Sequence, residues 1–261
     1  MTRITDAFKK QGKLFIPFIT AGDPDLDTTE KLIYAMEEAG AGLIEIGIPF
    51  SDPTAEGPVI LEADTRALAA GTKIKDIFAM LARVREKTQI PMVFLTYVNP
   101  IFTYGREKFF QQCRDVKIDG VIVPDVPYEE KDTIAPEAGK YGVEIISMIA
   151  PTSHQRIQSI AREAQGYIYL VSSLGVTGVR KEITTNLKEI VDKIREVSDK
   201  PIAVGFGIST PEQAKEMAAI SDGAIVGSAI VKLCAQYGKD CVEPVRQYVK
   251  EMAEAVEEAK S

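Results

Sequence analysis

Tryptophan is absent from the 261-residue sequence, histidine occurs once and cysteine three times. Cys113, Cys234 and Cys241 are odd in number, widely spaced and outside any CxxC motif, so the sequence indicates neither a disulfide framework nor a zinc site. With one histidine and no clustered cysteines, metal-assisted catalysis is also disfavoured. We therefore expect reduced thiols and no metal or other cofactor in this chain.

Long apolar runs are also absent. The N-terminal segment begins polar and contains no stretch long enough for a signal peptide or a membrane span. The 38 acidic residues outnumber the 31 basic ones, and the formal charge of -7 disfavours nucleic acid or an anionic membrane as the main partner. Hydrophobic residues at 45% and charged residues at 26% are typical of a globular protein with a large core. We expect a cytoplasmic protein.

Short apolar runs rich in β-branched residues recur along the chain, and amphipathic stretches such as TTEKLIYAMEEAG and LKEIVDKIREVS separate them. Eight runs are predicted as strands: LFIPFI (14–19), GLIEIGI (42–48), PMVFLTY (91–97), DGVIVPD (119–125), VEIISMI (143–149), YIYLV (167–171), PIAVGF (201–206) and GAIVG (223–227). Apolar strands that alternate with helices indicate a parallel sheet covered by helices, and eight such units close most naturally into an α/β barrel of the (β/α)8 type. No linker interrupts the series, so we predict one domain over residues 1–261.

The structural alternative is a doubly wound open sheet, which usually carries a glycine-rich fingerprint after its first strand. The first turn here reads TAGDPD (20–25) instead. Extra sequence is concentrated in PFSDPTAEGPVI (49–60), after the second strand, and in SSLGVTGVRKEIT (172–184), after the sixth. Because loops after barrel strands emerge on the face where active sites are built, these two loops are predicted to hold chemistry or a lid.

Glu45 lies in the second predicted strand. Strict alternation puts Leu43, Glu45 and Gly47 on one side and the three isoleucines on the helix-facing side, so Glu45 points into the barrel. An ionised carboxylate among apolar walls is costly, so its pKa should rise and leave a carboxylic acid that donates a proton near neutral pH. The alternative is a glutamate neutralised by a buried base, but none of the eight runs contains Lys or Arg. We predict that Glu45 is a general acid.

The loop after the second strand adds two more carboxyl groups, Asp52 and Glu56. Two carboxyl groups in different environments can divide acid and base roles. Asp52 is equally well explained as a turn residue in SDP. Glu56, just before Gly57-Pro58, is also explained as a helix-start charge that interacts with the helix dipole.

Glycines follow the last two predicted strands, where barrels commonly bind phosphate through backbone N–H groups at a helix start. The seventh unit ends GFGISTPEQ, in which Ser209 or Thr210 can cap a helix and Pro211 fits its first turn. The candidate anion-facing residues are Gly175, Gly178, Gly205, Gly207, Gly227 and Ser228. Any single glycine is equally explained by a tight turn, but the combination favours a small phosphorylated ligand.

The remaining candidates are more often structural than chemical. His154, in APTSHQRI, is predicted as a surface residue in a first helical turn. Tyr167 and Tyr169 alternate with Ile168, so both can face the barrel interior. An apolar wall suited to an aromatic ring is predicted from residues near strand ends: Phe18, Leu95 and Phe206.

Several of these segments together carry a family resemblance. The chain resembles tryptophan synthase α chains in the following motifs, which occur in the family's order over nearly the whole length: IPFITAGDPD (16–25), EIGIPFSDPTAEGP (45–58), VPDVPYEE (123–130), YIYLVSSLGVTGVR (167–180), VGFGISTPEQA (204–214) and GSAIVK (227–232). The resemblance implies retro-aldol cleavage of indole-3-glycerol phosphate to indole and glyceraldehyde 3-phosphate.

The resemblance also implies roles for individual residues. Glu45 protonates indole C3 and helps to deprotonate the glycerol hydroxyl, Glu56 interacts with the indole N–H, and Tyr169 lies beside Glu45. The implied indole contacts are Phe18, Leu95, Ile122, Ile149 and Phe206, and the implied phosphate-binding residues are Gly178, Phe206, Gly207, Gly227 and Ser228. Thr177 lies on a closing loop.

Two positions depart from the family's pattern. Glu56 stands where the family typically has Asp in a DGP triplet, and Leu61 stands where many members carry glutamine. An extra methylene moves a carboxylate by roughly 1 Å, and a misplacement of that size can cost ~100-fold in rate. The departures therefore bear on the catalytic rate, not on the fold.

Family members pair with a β subunit that contains pyridoxal phosphate and receives indole through a tunnel, in an α2β2 heterotetramer. By similarity, Pro49, Asp52 and Pro53 lie on the loop that faces this partner. Three other hypotheses of function remain open: a weakly active or inactive barrel that mainly activates its β partner, a stand-alone indole-producing lyase, and a different sugar-phosphate isomerase or epimerase. The last usually needs metal-ligating histidines, and this chain has one His.

Overall fold

The computed structural model describes residues 2–172, 180–205 and 207–259. Within these ranges the strands form one parallel sheet in the order β5-β4-β3-β2-β1-β9-β8-β7-β6. The strands are β1 (Leu14–Thr20), β2 (Ile44–Gly47), β3 (Met92–Leu95), β4 (Gly120–Ile122), β5 (Glu144–Ile145), β6 (Ser147–Ile149), β7 (Ile168–Val171), β8 (Ile202–Gly205) and β9 (Gly223–Val226). Each predicted run contains an observed strand, so the barrel prediction is confirmed.

The fifth predicted run differs from a single strand, because it is split at Ile146. Its first half, β5, pairs with β4, and its second half, β6, pairs with β7. Between them the Ile146 amide donates to the Val121 carbonyl at 2.9 Å. The segment therefore pairs with β4 through its first half and with β7 through its second half, and this change of partner closes the ring of strands.

Most helices connect successive strands and cover the outside of the ring, while the first helix precedes β1 and the last follows β9. They are α1 (Arg3–Gln11), α2 (Leu26–Glu38), α3 (Pro58–Ala69), α4 (Ile74–Lys87), α5 (Val98–Tyr104), α6 (Arg106–Asp115), α7 (Ala135–Tyr141), α8 (Ile157–Glu163), α9 (Arg180–Arg195), α10 (Pro211–Ile220), α11 (Ser228–Tyr237) and α12 (Val242–Glu258). Short 3-10 helices occur at Tyr128–Thr133, Pro151–Arg156 and Gly238–Asp240. Across the described ranges, none of the helices is long and apolar enough to cross a membrane.

The core has two main layers, as expected for strands that are buried on both faces. An outer cluster fills the space between strands and helices and includes Ile44, Ile46 and Phe94. An inner cluster fills the barrel and includes Leu43, Val93 and Ile122 together with both tyrosines of the sixth predicted run. The alternation of the strand sequences therefore decides which side chains reach the interior.

The N-terminal end of the barrel is closed by α1. Thr2 caps this helix, and the buried side chains of Ile4 and Phe8 enter the inner cluster. The loops that carry the candidate residues begin at the opposite end, after the carboxyl ends of the strands.

Buried charges at the closed end are paired. The carboxylate of Asp119 accepts hydrogen bonds from Arg3 Nε at 2.7 Å, Arg85 Nη2 at 3.3 Å and the Met92 amide at 2.9 Å. Arg85 also donates to the Ile90 carbonyl at 2.6 Å. Asp119 is 8% exposed and Arg85 7%, so the network replaces the water that both groups lose on folding.

Candidate active site

Glu45 faces the interior of the barrel, as the alternation of its strand predicted. Its neighbours Ile44 and Ile46 belong to the outer cluster, and Glu45 itself is 1% exposed. Tyr167 Oη donates a hydrogen bond to Glu45 Oε1 at 2.5 Å. Burial raises the pKa of Glu45 to about 8, although the hydrogen bond from Tyr167 opposes this rise. The carboxyl group is therefore protonated near neutral pH, which is the state that a general acid requires.

No described basic side chain forms an ion pair or a hydrogen bond with Glu45. The alternative of a glutamate neutralised by a buried base is therefore unsupported. Desolvation is the largest influence on the pKa of Glu45, because binding a proton removes the charge that burial disfavours.

The tyrosine that hydrogen-bonds Glu45 is Tyr167, and Tyr169, which the resemblance places beside Glu45, lies near enough to feel its charge. Tyr169 also faces inward, and its hydroxyl lies against Gly205, where a Cβ atom would collide with Tyr169 Oη. Burial and the charge of Glu45 raise the pKa of both tyrosines well above the ordinary value. Gly205 is thus needed to make room for Tyr169, which is a different reason from the close approach of a phosphate.

The apolar wall forms in part as predicted. Phe18 pairs with Glu45 in the β1–β2 register and packs against Ile60 and Ala63 of α3. Leu95 borders both this small cluster and the inner cluster, and Ile122 is fully buried in the inner cluster. These three side chains surround the carboxyl end of the barrel interior.

Ile149 requires a correction. It is fully buried in the outer cluster, between strand and helices, while its neighbour Met148 packs against the inner cluster. Side chains alternate along β6, so adjacent residues cannot both face the interior. The expected contact between Ile149 and a ligand inside the barrel is therefore not supported, and Met148 takes the inward position.

Glu56 is half-buried and lies near two residues that no sequence motif indicated, Asp64 and Tyr97. The Asp64 carboxyl and the Tyr97 hydroxyl lie close enough to influence the pKa of Glu56. Burial raises the pKa of Glu56, and burial together with the charge of Glu56 raises the pKa of Asp64 to about 8.

A signal for Asp64 exists in the sequence. The buried positions of α3 are Ile60, Ala63, Asp64 and Ala67, so a carboxyl group interrupts an apolar stripe with helical spacing. Tyr97 gave no comparable signal, because an aromatic residue at a strand end is usually part of the core.

The loop residues expected to face a partner differ in exposure. Asp52 is exposed, and its carboxylate accepts a hydrogen bond from the Ser51 hydroxyl, which favours the turn interpretation over a catalytic one. Pro53 is half-buried. Pro49 lies two residues beyond the end of β2 and is buried, as is Ile48. Pro49 therefore offers little surface to a partner.

The two helices after β8 and β9 begin differently. Thr210 caps α10 with Pro211 at its first position, as predicted, and Gln213 completes a capping box. Gly227 precedes α11 and supplies no side-chain cap, so the first amides of α11 have no such partner. Ser228 is the exposed first residue of α11. This uncapped start fits an anion better than the capped start of α10.

Gly207 and Gly227 need the absence of a side chain for different reasons. Gly207 has φ +77°, a left-handed conformation that favours glycine. At Gly227 a Cβ atom would stand 3.2 Å from the ring of Phe18. Both glycines thus shape the carboxyl end of the barrel.

Four predicted residues lie outside the described residues: Gly175, Thr177, Gly178 and Phe206. His154 lies in the 3-10 helix Pro151–Arg156, and its side chain is outside the described part as well. Within the described residues, no group of three or more His, Cys, Asp or Glu side chains is arranged to hold a metal ion.

The sequence matches known proteins along nearly its whole length. The family model described as "Tryptophan synthase alpha chain" matches residues 4–260. The tryptophan synthase alpha chain of Lacticaseibacillus casei is 47% identical over 260 residues, with 100% of this chain and 97% of the relative covered.

Solved structures agree with the sequence match. Tryptophan synthase subunit alpha from Legionella pneumophila has a TM-score of 0.89 at 35% identity and is covered over 99% of both chains. A chain from the tryptophan synthase α2β2 complex of Pyrococcus furiosus has a TM-score of 0.84 at 34% identity, with 92% of this chain and 97% of that chain covered.

Proposed function

The chain belongs to the tryptophan synthase alpha chain family, and we propose that Glu45 and Glu56 are the carboxyl groups with which it cleaves indole-3-glycerol phosphate. The reaction is a carbon–carbon lyase step of tryptophan biosynthesis that yields indole and glyceraldehyde 3-phosphate. The observation that carries the assignment of Glu45 is its position inside the barrel as a protonated acid, hydrogen-bonded by Tyr167.

Glu45 acts first as an acid and then as a base. It gives its proton to indole C3, which leaves the ring nitrogen cationic. The carboxylate then removes the proton from the hydroxyl on the adjacent glycerol carbon. A carbonyl forms there, the bond from that carbon to indole C3 breaks, and its electron pair returns to the ring. Glu45 ends the cycle protonated, so no external acid or base is consumed.

Tyr167 assists this cycle by a fixed hydrogen bond. Its hydroxyl donates to Oε1, so the other oxygen of Glu45 is the one that transfers the proton. The same bond stabilises the carboxylate that exists between the two proton transfers. The indole ring stacks in the space bordered by Phe18, Leu95 and Ile122.

Glu56 stabilises the positive charge that develops at the indole nitrogen. The proposal is supported by its place at the end of the loop after β2, next to α3, whose residues Ile60 and Ala63 pack on Phe18. A carboxylate that accepts from the indole N–H lowers the energy of the cationic intermediate more than that of the neutral substrate.

The phosphate is proposed to bind at the start of α11, through the backbone of Gly227 and Ser228 with Gly207 nearby. The uncapped N-terminus supplies amide donors and the positive end of a helix dipole. Gly178, Phe206 and the lid residue Thr177 belong to the same proposal by similarity.

The chain works with a tryptophan synthase β subunit, which receives the indole, as in the α2β2 complex named for the Pyrococcus furiosus relative. We propose that this chain holds no cofactor of its own and that pyridoxal phosphate belongs to the β subunit. Asp52 and Pro53 form the proposed contact surface of the loop after β2. We also propose a cytoplasmic location, supported by three free cysteines, all buried.

The test is indole release from indole-3-glycerol phosphate, measured with and without a β subunit. Because the chain contains no tryptophan, indole fluorescence is unobscured. We expect release in both conditions, faster with the partner. Glu45→Gln should lower the rate by about 100- to 10,000-fold, the usual contribution of a general acid or base, while the variant still binds glycerol phosphate and keeps its circular dichroism.

Near-normal cleavage by Glu45→Gln would exclude Glu45 as the acid. No release by the natural chain, combined with phosphate binding and activation of the β subunit, would mean that the barrel serves only as an activator. Release that is insensitive to the β subunit would indicate a stand-alone lyase.

A further inference from the structure

Asp64 is a buried carboxyl group with no assigned role. It is 2% exposed on the apolar stripe of α3, and it accepts a long hydrogen bond from the Phe50 amide at 3.3 Å. That amide lies near the start of the loop after β2, and Glu56 lies near its end. Asp64 therefore touches both ends of one loop.

The contacts of Glu56 lack a donor for one of its oxygens. The Ala55 amide donates to Tyr97 Oη at 3.2 Å, so the Tyr97 hydroxyl accepts a hydrogen bond from the residue just before Glu56. Oε2 of Glu56 is buried and finds no donor among the described residues. The Asp64 carboxyl is a neighbour of Glu56 and interacts with it electrostatically. A proton between the two carboxyl groups supplies the missing donor, whereas two carboxylates would repel each other.

The surrounding charges do not replace that proton. Arg66 is the nearest cation on α3, but its guanidinium is held by both oxygens of Asp23 at 2.8 Å. Asp23, from the loop after β1, adds a further negative charge that raises the pKa of Asp64. Tyr97, from the segment after β3, is neutral because burial raises its pKa far above the ordinary value. Among the described residues, neither Glu56 nor Asp64 forms an ion pair with a basic side chain.

We infer that Asp64 is a positioning residue: its protonated carboxyl group donates a hydrogen bond to the Glu56 carboxylate and thereby holds Glu56, and the loop that carries it, in place. The proton resides on Asp64 because it is the more deeply buried of the two groups. The arrangement leaves Glu56 with the negative charge that the indole nitrogen requires, so this inference rests on the proposed role of Glu56.

Under this inference, cleavage is lost when either of two carboxyl groups, Glu45 or Asp64, releases its proton to solvent. Cleavage requires Glu45 protonated and Asp64 protonated, and burial raises the pKa of each to about 8. Above that pH, loss of the Asp64 proton puts two carboxylates side by side and displaces Glu56. The alkaline fall of log kcat/KM should then approach a slope of two for the natural chain.

The experiment compares Asp64→Asn, Asp64→Ala and, as a matched control, Glu62→Gln, an exposed carboxyl group on the same helix. In Asp64→Asn the amide donates the same hydrogen bond and cannot titrate, so the alkaline slope should fall from two to one, with at least a tenth of the neutral-pH activity. Asp64→Ala removes the donor, and kcat/KM should fall by about 10- to 100-fold at neutral pH. Glu62→Gln should keep the slope of two.

Glu56→Gln separates the two proposals. If Glu56→Gln cleaves at a near-normal rate, the proposed role of Glu56 fails, whatever Asp64 does. If Glu56→Gln is impaired but Asp64→Asn keeps a slope of two, the inference about Asp64 is wrong. A carboxyl titration of the natural chain by 13C NMR needs no Asp64 variant to fold: two coupled steps for Glu56 and Asp64 are expected, and two independent titrations near their ordinary pKa values would overturn the inference.

Discussion

The two ends of the barrel bury carboxyl groups in opposite ways. At the closed end, Asp119 is surrounded by Arg3, Arg85 and a backbone amide. At the open end, Glu45 has only a tyrosine hydroxyl, and Glu56 has Asp64 and Tyr97, with no described cation paired to any of the three carboxyl groups. Asp119, Glu45 and Asp64 are all buried, but the buried charge is balanced by cations at the closed end and by bound protons at the open end.

The difference separates stability from chemistry. A buried ion pair fixes both charges and makes neither available for transfer, which suits a structural plug. A buried acid without a cation retains a proton near neutral pH and can release it to a substrate. The pairing of a buried carboxyl group therefore indicates which end of the barrel is the reactive one.

The largest expected effect is the change with pH in the free energy of unfolding that the buried Glu45 causes. Its pKa rises from 4.5 to about 8 on folding, so the folded chain holds the proton more tightly than the unfolded chain. The contribution to stability is complete below pH 4.5 and is lost as the pH rises to about 8, by at most about 5 kcal/mol. Glu45→Gln should therefore gain stability relative to the natural chain between these limits, as measured by urea unfolding at several pH values. A constant difference between the two proteins would contradict the raised pKa.

A slightly smaller effect should come from breaking the closed end. Asp119→Ala leaves Arg85 buried without its anion and should lower the free energy of unfolding by about 3–5 kcal/mol, with kcat of the folded protein unaffected. The control is Asp115→Ala, which breaks an exposed pair with Arg114 and should cost less than about 1 kcal/mol. Equal costs for the two variants, or a loss of kcat in Asp119→Ala, would abolish the distinction between the ends.

The smallest effect tests two positions within the open end. Ser228→Asp places a carboxylate at the uncapped start of α11 and should raise KM about tenfold, or about 1.4 kcal/mol in binding, by repelling the substrate phosphate. Ser209→Asp, beside the capped start of α10, should leave KM unchanged. Unfolding by denaturant should show no loss of stability in either variant, because an acidic residue favours a helix N-terminus. A shared rise in KM would point to net charge instead of a local phosphate site.

The sequence was sufficient for the barrel and for Glu45, because both depend on local periodicity. A short apolar run of β-branched residues between turn signals favours a strand, and alternation within such a run decides which side chains face inward. The helix cap, predicted at Ser209 or Thr210 and found at Thr210, depends on local sequence for the same reason.

The rest depends on the stagger between strands, which no local pattern contains. Whether Tyr167 or Tyr169 meets Glu45 is set by the relative heights of strands that are far apart in the chain. Ile149 faces outward in step with Ile145, because alternation continues through Ile146, and its expected ligand contact came from the resemblance instead of from that alternation. The meeting of Glu56 with Asp64 and Tyr97 joins a loop, a helix and the end of another strand, so only the folded chain brings them together.

The pairing of β1 with β9 has a kinetic consequence. Leu14 pairs with Gly223, so the second edge of β1 is covered only after almost the entire chain has been synthesised. Contacts of such high sequence separation close slowly, and an uncovered strand edge is a template for other chains meanwhile. During synthesis, the four strands β1 to β4 can pair with one another as a partial sheet. The edge of β1 that later pairs with β9 stays uncovered in that sheet. Aggregation of this protein should therefore be governed by how quickly its last quarter arrives, more than by the stability of the finished barrel.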